Sequence, residues 1–247
     1  MRILLLDTEN APNYGSFWGI HEQHIRYGDI EQEWFFISAQ WKFLGEKTVQ
    51  TVSVLDDVKT FIRDHTNDKV VVKKVHQLLQ ECDVVVGHNI IGHDLKKLWA
   101  KFIEYRLEPI DMPYIVDTLV WVRKYGFTSR KLADLCTKLS LTPKLEHDRG
   151  IFQKAGRGDV ISIRKTVRYG KGDVPTLEEL YLLIRPYAKH PNENAFKNYP
   201  CCPKCGSVKF QSRGKRDGHG VNRFQCAVPA CRAWFTENKI KQRPLFK

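Results

Sequence analysis

Arg2-Ile3-Leu4-Leu5-Leu6-Asp7-Thr8-Glu9-Asn10 is an apolar run that turns abruptly acidic. Uninterrupted apolar residues of this length read as a buried strand, with Asp7-Thr8-Glu9 at its end. Side chains alternate along a strand, so Asp7 and Glu9 point to one side and Thr8 to the other. Working outward, Trp34–Ile37 and Lys47–Leu55 read as the next two strands, joined through Gly45. Val71, Val75, Leu78 and Leu79 mark one face of a helix over Val70–Glu81. Asp83–Val86 is a short buried strand closed by Gly87. His93–Tyr105 is helical, with Leu95, Leu98, Trp99, Phe102 and Ile103 at helical spacing. Tyr114–Asp117 is a strand, Ser129–Leu139 a helix, and a last long helical stretch precedes Pro186. Strands first, then strands alternating with helices, predict an α/β fold with a mixed sheet flanked by helices.

The chain has 247 residues, 42% of them hydrophobic, which supports one sizeable core and a small appendage. Ile3–Leu6 is too short an apolar run for a signal peptide, and no stretch approaches the roughly 18 apolar residues of a membrane span. A soluble, cytoplasmic protein is expected. The net charge is +12, unevenly spread. Residues 200–247 carry 11 Lys/Arg against 2 Asp/Glu, whereas residues 1–199 carry 29 against 26. A basic block of this kind suits a polyanion or serves as a solvated tail. Ala188–Pro200, with Pro191, Asn192, Asn194 and Pro200, reads as a linker. The expected units are therefore residues 1–187, a linker over 188–200, and a small module over 201–247.

Four acids and a tyrosine stand out in the first unit. Asp7 and Glu9 on one side of a strand end can share a metal. Asp94 follows the turn Gly87-His88-Asn89 and opens a helix, where it suits an N-terminal acid as well as a ligand. Tyr169 and Asp173 lie one helical turn apart and share a face. Gly170, Gly172 and Pro175 surround them, and each disfavours a regular helix, so a looser turn is expected there.

Together these motifs resemble the DnaQ-like 3′–5′ exonucleases of the RNase H-like superfamily, in the tyrosine (DEDDy) subclass that includes the proofreading domains of family B DNA polymerases. Asp7-x-Glu9 matches the first motif, His88-Asn89-x4-Asp94 the second and Tyr169-x3-Asp173 the third. His93 stands where that family usually has an aromatic. The stretches around Val116-Asp117-Thr118-Leu119 and Lys131–Cys136 are also similar, so the resemblance covers roughly residues 1–187. It implies an RNase H-like mixed sheet and stepwise release of nucleoside monophosphates with two Mg²⁺ or Mn²⁺ ions. Asp7, Glu9 and Asp173 would hold the deeper ion and Asp94 the second. Tyr169 would orient the attacking water, and Asn89 would contact the nucleic acid. No histidine lies between Val160 and Asp173, and His147 is a reserve candidate. Tyr14, Phe17 and Trp18 offer stacking surfaces near a 3′ terminus. An aromatic lid packed on the sheet would use the same rings.

Five of the seven cysteines lie between Cys201 and Cys231. Cys202-Pro-Lys-Cys205-Gly206 is a tight knuckle, and Cys226 and Cys231 form a second pair, with a hairpin signal at Asp217-Gly218 between them. Two cysteine knuckles joined by a hairpin describe a zinc ribbon with one structural Zn²⁺. Cys201 could replace Cys202, and His219 is a distant alternative. Lys209, Arg213, Lys215, Arg216 and Arg223 cluster around the hairpin with Phe210 and Phe224 among them. Charge along phosphates and rings on bases suit a nucleic-acid strand; a protein-docking ribbon would use the two rings as its core.

The function expected is a metal-dependent 3′–5′ exonuclease on nucleic acid, with single-stranded DNA favoured over RNA. Two competing readings stand beside it: an inert nucleic-acid-binding or partner-recruiting protein on the same scaffold, and an RNA-trimming exonuclease.

Overall fold

A computed structural model describes residues 1–17, 19, 24–145, 150–188, 200–215 and 220–240. In chain order the elements are β1 (Ile3–Asn10), β2 (Tyr14–Gly15), β3 (Ile30–Gln32), β4 (Phe36–Phe43), β5 (Gln50–Ser53), α1 (Val58–Arg63), α2 (Lys69–Glu81), β6 (Val84–Gly87), α3 (Asp94–Glu104), β7 (Tyr114–Asp117), α4 (Thr118–Val122), α5 (Leu132–Leu139), α6 (Ile151–Gly156), α7 (Val160–Ile184), β8 (Phe210–Lys215), β9 (Asn222–Cys226), β10 (Trp234–Thr236) and α8 (Glu237–Ile240).

Five strands form one sheet in the order β5-β4-β1-β6-β7. β1, β4 and β5 are antiparallel neighbours, while β1, β6 and β7 run parallel. The sheet is therefore mixed, as the order of elements predicts. Parallel neighbours need crossovers, and the helices α1–α2 and then α3 supply them.

Apolar residues bury both faces of β1. Leu4 and Leu6 join a core with Val71, Val75 and Leu79 of α2 and Leu95, Leu98 and Phe102 of α3. Ile3 and Leu5 join a second core with Leu135 of α5 and Val174, Leu177 and Leu180 of α7. The strand is the middle of a three-layer sandwich, and it extends through Asn10. Asp7 and Glu9 thus lie inside the ladder, opposite Gln40 and Ser38 of β4. Strand pairing fixes their direction more firmly than a free strand end could.

Two expectations are corrected. β4 occupies residues 36–43, beyond the Trp34–Ile37 segment expected from sequence. Its alternating Ser38, Gln40 and Lys42 have the look of a solvent face, yet all three are buried. α7 lies over them, and Lys42 ion-pairs with Glu178 of that helix at 2.7 Å. The second correction concerns α7, which is one continuous helix through Gly170, Gly172 and Pro175. Close approach explains the glycines. A Cβ at residue 170 would meet the Gln40 side chain at 2.6 Å and the Glu9 Oε1 at 3.1 Å, and one at residue 172 would meet Leu145 at 3.0 Å. Packing against the sheet overrides helix propensity, which spans only about 1 kcal/mol for glycine.

The C-terminal residues form a separate three-stranded antiparallel sheet in the order β10-β9-β8. Phe210, Phe224 and Phe235 pack on one another and on Cys202, Cys226 and Cys231. Phe210 and Phe224 are therefore core rings of the ribbon, not base-stacking surfaces. A linker over 188–200 falls almost wholly outside the described residues. Among the described residues no helix is long and apolar enough to cross a membrane.

Gly170→Ala is expected to lower stability by about 1–3 kcal/mol through overpacking, because Gln40 is fully buried and bonded to Ser38 at 2.7 Å. Gly28→Ala, where no neighbour lies within 4 Å, should change it by less than about 0.5 kcal/mol. Urea unfolding of both variants checks the contrast.

Candidate metal centres

β1 and α7 bring three of the predicted acids together. One carboxylate oxygen from each of Asp7, Glu9 and Asp173 lies within 4.8 Å of the others. Asp173 is buried. Burial and mutual repulsion raise all the acids of this region that β1 and α3 contribute. Asp7 stands well above the ordinary range because it is buried and faces Glu9, Asp94 and Asp173. Burial, then the charge of Asp173, pushes Glu9 up to about 8.

Asp94 stays outside the tight cluster. It opens α3 on the opposite side of β1, where its Oδ1 accepts a 2.5 Å bond from the Thr8 hydroxyl. Thr8 points away from Asp7 and Glu9, as alternation requires, and by doing so holds the fourth acid. Burial raises Asp94 to about 6, against the pull of that hydrogen bond. His93, in the place of the expected aromatic, donates from Nε2 to the Asn10 side chain at 3.0 Å and ties the start of α3 to the end of β1. Asn89 adopts a left-handed backbone with φ 66°. Asp117 makes that turn possible by accepting from the backbone of Asn89 at 2.9 Å and Ile91 at 3.1 Å.

Tyr169 is half-buried on the same face of α7 as Asp173, edge-on to Phe152. Burial, then the Asp173 charge, raises its phenol, so the hydroxyl stays protonated and able to donate. Lys144 was invisible to motif reasoning. Its Nζ ion-pairs with Asp173 at 2.7 Å and lies 5.3 Å from the centre of the Tyr169 ring. The loop carrying it is pinned to α7: Thr142 donates from its backbone and its hydroxyl to Glu179, both at 2.7 Å, and Thr176 donates to the Thr142 carbonyl. Burial opposes the Lys144 charge, but Asp173 and Tyr169 hold its ammonium above the ordinary lysine range. The only sequence signal was a lone cation between Leu141 and Leu145, a pattern too common to single out.

Of the aromatic stretch, Tyr14 is committed to packing. Its hydroxyl donates to the Gln153 carbonyl at 2.5 Å, and Arg157 covers one face of its ring. Phe17 is 63% exposed, and Trp18 lies outside the described residues. His147, Arg216 and His219 also lie outside them.

The four sulfurs of Cys202, Cys205, Cys226 and Cys231 lie within 4.8 Å of one another. Cys202 and Cys231 are 3.8 Å apart, and Cys205 and Cys226 are 3.6 Å apart. A tetrahedron with metal–sulfur bonds of about 2.3 Å has edges of about 3.8 Å, so the thiols are spaced for Zn²⁺. Cys201 is fully buried but takes no part in this group, so Cys202 is the knuckle's first sulfur in it.

No protein-family model and no curated protein matches this sequence. Among solved structures, the chain is similar to the family B DNA polymerase from the hyperthermophilic archaeon Pyrobaculum calidifontis, at 13% identity and a TM-score of 0.53. The match covers 75% of this chain and 25% of the polymerase, so the chain spans a quarter of that protein's length. At this identity the likeness is one of fold.

Two outcomes are expected. A free glutamate titrates near 4.5, whereas Glu9 in the folded protein titrates near 8. Burial therefore favours the protonated protein. Without added divalent cations, stability should fall as pH rises from about 4.5 to about 8, and Mn²⁺ should raise the melting temperature more at pH 8 than at pH 5. Thermal scans across that range check both signs. In the ribbon, Cys202→Ser should lose bound zinc and Cys201→Ser should keep one zinc per chain, read by elemental mass spectrometry.

Proposed function

We propose that this protein is a metal-dependent 3′–5′ exonuclease acting on single-stranded DNA ends. The observation that carries the reading is the convergence of Asp7, Glu9 and Asp173 within 4.8 Å, with Tyr169 on the same helix face as Asp173. An all-oxygen donor set of this kind suits Mg²⁺ or Mn²⁺ over softer ions. The charges fit as well: four buried or half-buried acids face two lysines, Lys144 beside Asp173 and Lys97 near Asp94, an excess that divalent cations would neutralise. The polymerase-like fold supports a nucleic-acid substrate and favours DNA.

In this reading Asp7, Glu9 and Asp173 hold the deeper ion, and Asp94, steadied by Thr8, holds the second. Bound divalent cations supply Lewis acidity at the scissile phosphate and lower the pKa of water. Tyr169 keeps its proton and orients a water molecule for in-line attack. Glu9 lies where it can accept from a terminal 3′ hydroxyl. Asn89, on its strained turn beside Asp94, positions the strand. Lys144 pairs with Asp173 and Tyr169 and keeps both in place. The ribbon, closed by Zn²⁺, binds the nucleic acid through its basic residues.

A second reading, an inert nucleic-acid-binding protein, draws on one observation: Lys144 already supplies a cation to Asp173. One assay separates the two. Labelled at the 5′ end, single-stranded DNA, recessed duplex and matched RNA should be shortened from the 3′ end with Mn²⁺ or Mg²⁺, DNA fastest. Asp7→Ala should lower the rate by about 10³-fold or more, and Tyr169→Phe by about 10²-fold. Cleavage at full rate by Asp7→Ala would remove the site assignment. No cleavage of any substrate would favour the inert reading.

A further inference from the structure

The ribbon's sheet has two unlike faces. Phe210, Phe224 and Phe235 turn to the cysteine cluster. Pairing fixes what points the other way. Gln211 of β8 lies opposite Gln225 of β9, and Gln225 lies opposite Trp234 of β10. These three form one row across the sheet. Arg213 and Arg223, two residues along on β8 and β9, share that face by the same alternation. Trp234 is 56% exposed, a large aromatic surface at the end of that row, on the edge strand β10. The Arg223 guanidinium sits 5.6 Å from the centre of its ring. Arg213 donates from Nε to the Gln225 side chain at 3.1 Å. A groove of about 350 Å³ runs beside the row, lined by Gln211, Arg213, Gln225 and Arg232.

The composition of this face is selective. It offers cations, amides and one indole. Among described residues 200–215 and 220–240 the single acid is Glu237, and it accepts a hydrogen bond from Asn222 at 2.9 Å. On grounds of charge, an acidic partner complements this face. An indole exposed among arginines takes a flat π-system on its face, and side-chain amides pair with the edges of any base. A base pair hides the Watson–Crick edges, leaving only groove edges open to the amides, and a stack hides the faces that the indole would meet. An unpaired strand presents both.

We propose that this open face, formed by Gln211, Arg213, Gln225 and Arg223 with Trp234 at its edge, binds an unpaired stretch of single-stranded nucleic acid, with one base stacked on the indole and phosphates on the arginines. The proposal refines the nucleic-acid reading of the ribbon given above. It moves the stacking role from Phe210 and Phe224, which are core, to Trp234, which motif reading did not single out. It also makes the ribbon the part of the chain that distinguishes unpaired from paired ends.

The test is fluorescence anisotropy with the full-length, zinc-loaded protein carrying Asp7→Asn, so that the probe is not degraded. The probes are a 5′-fluorescein oligothymidylate and a blunt duplex. Trp234→Ala should weaken oligothymidylate binding about tenfold or more, the scale of one lost stacking contact. Trp234→Phe should recover most of that loss. Duplex binding should change by less than about twofold. Arg213→Glu should weaken the strand and reduce the salt dependence of its binding. Unchanged oligothymidylate affinity in both Trp234→Ala and Arg213→Glu, with zinc retained, would overturn the proposal and leave the face to a protein partner. Equal losses on strand and duplex would overturn the claim of strand selectivity. The readout needs no catalysis, so it stands even if the acid cluster proves inert.

Discussion

The fold is organised around carboxylates held where carboxylates are costly. Asp7 and Glu9 sit inside a strand whose first four residues are core, and α7 comes down on them carrying Asp173. Burial and repulsion raise Asp7 and Glu9 far above the ordinary acid range. Such a cluster is tolerated when a cation compensates it. In this chain Lys144 supplies part of that compensation through Asp173. The remainder of the negative charge could hold a metal ion. The polar stripe beneath α7 belongs to the same construction: Ser38 and Gln40 line the approach, and Lys42 with Glu178 closes it.

Gly170 is the backbone condition for this arrangement. With no side chain there, the helix axis can lie close enough to β1 and β4 for the short Asp173 side chain to reach Asp7 and Glu9. Gly172 does the same toward the loop that carries Lys144, letting Leu145 pack against the helix. Two glycines one residue apart face different neighbours, and each admits a different part of the site. Helix propensity alone marks them as breakers. The packed structure uses them as clearance.

The readable parts of this chain were those where one physical signal dominated. The apolar run of β1, the 3–4 spacing of α2 and α3, and the paired cysteines left little ambiguity. The clustered acids were legible because alternation on a strand and one-turn spacing on a helix are local rules. What the sequence hid was non-local. β4 carries a polar stripe that solvent patterning would assign to the surface, and only the covering helix makes it interior. Lys144 reaches the site through a loop anchored by Glu179 at Thr142, a contact that 36 intervening residues conceal. Tyr14 looked like an open ring until Gln153 and Arg157 accounted for its two ends. Trp234 follows the second knuckle on a strand of three residues, too short for periodicity to register.

The central claim is that β1 and α7 build a divalent-metal site from their own carboxylates. Its most direct test is a titration of the zinc-loaded protein with Mn²⁺, followed by electron paramagnetic resonance of free and bound ion, for the parent and for Asp173→Asn. The account predicts two bound Mn²⁺ per chain in the parent and a marked loss of that binding in the variant, with zinc content unchanged in both. Equal Mn²⁺ binding by parent and variant, or none by the parent above pH 8, would contradict it.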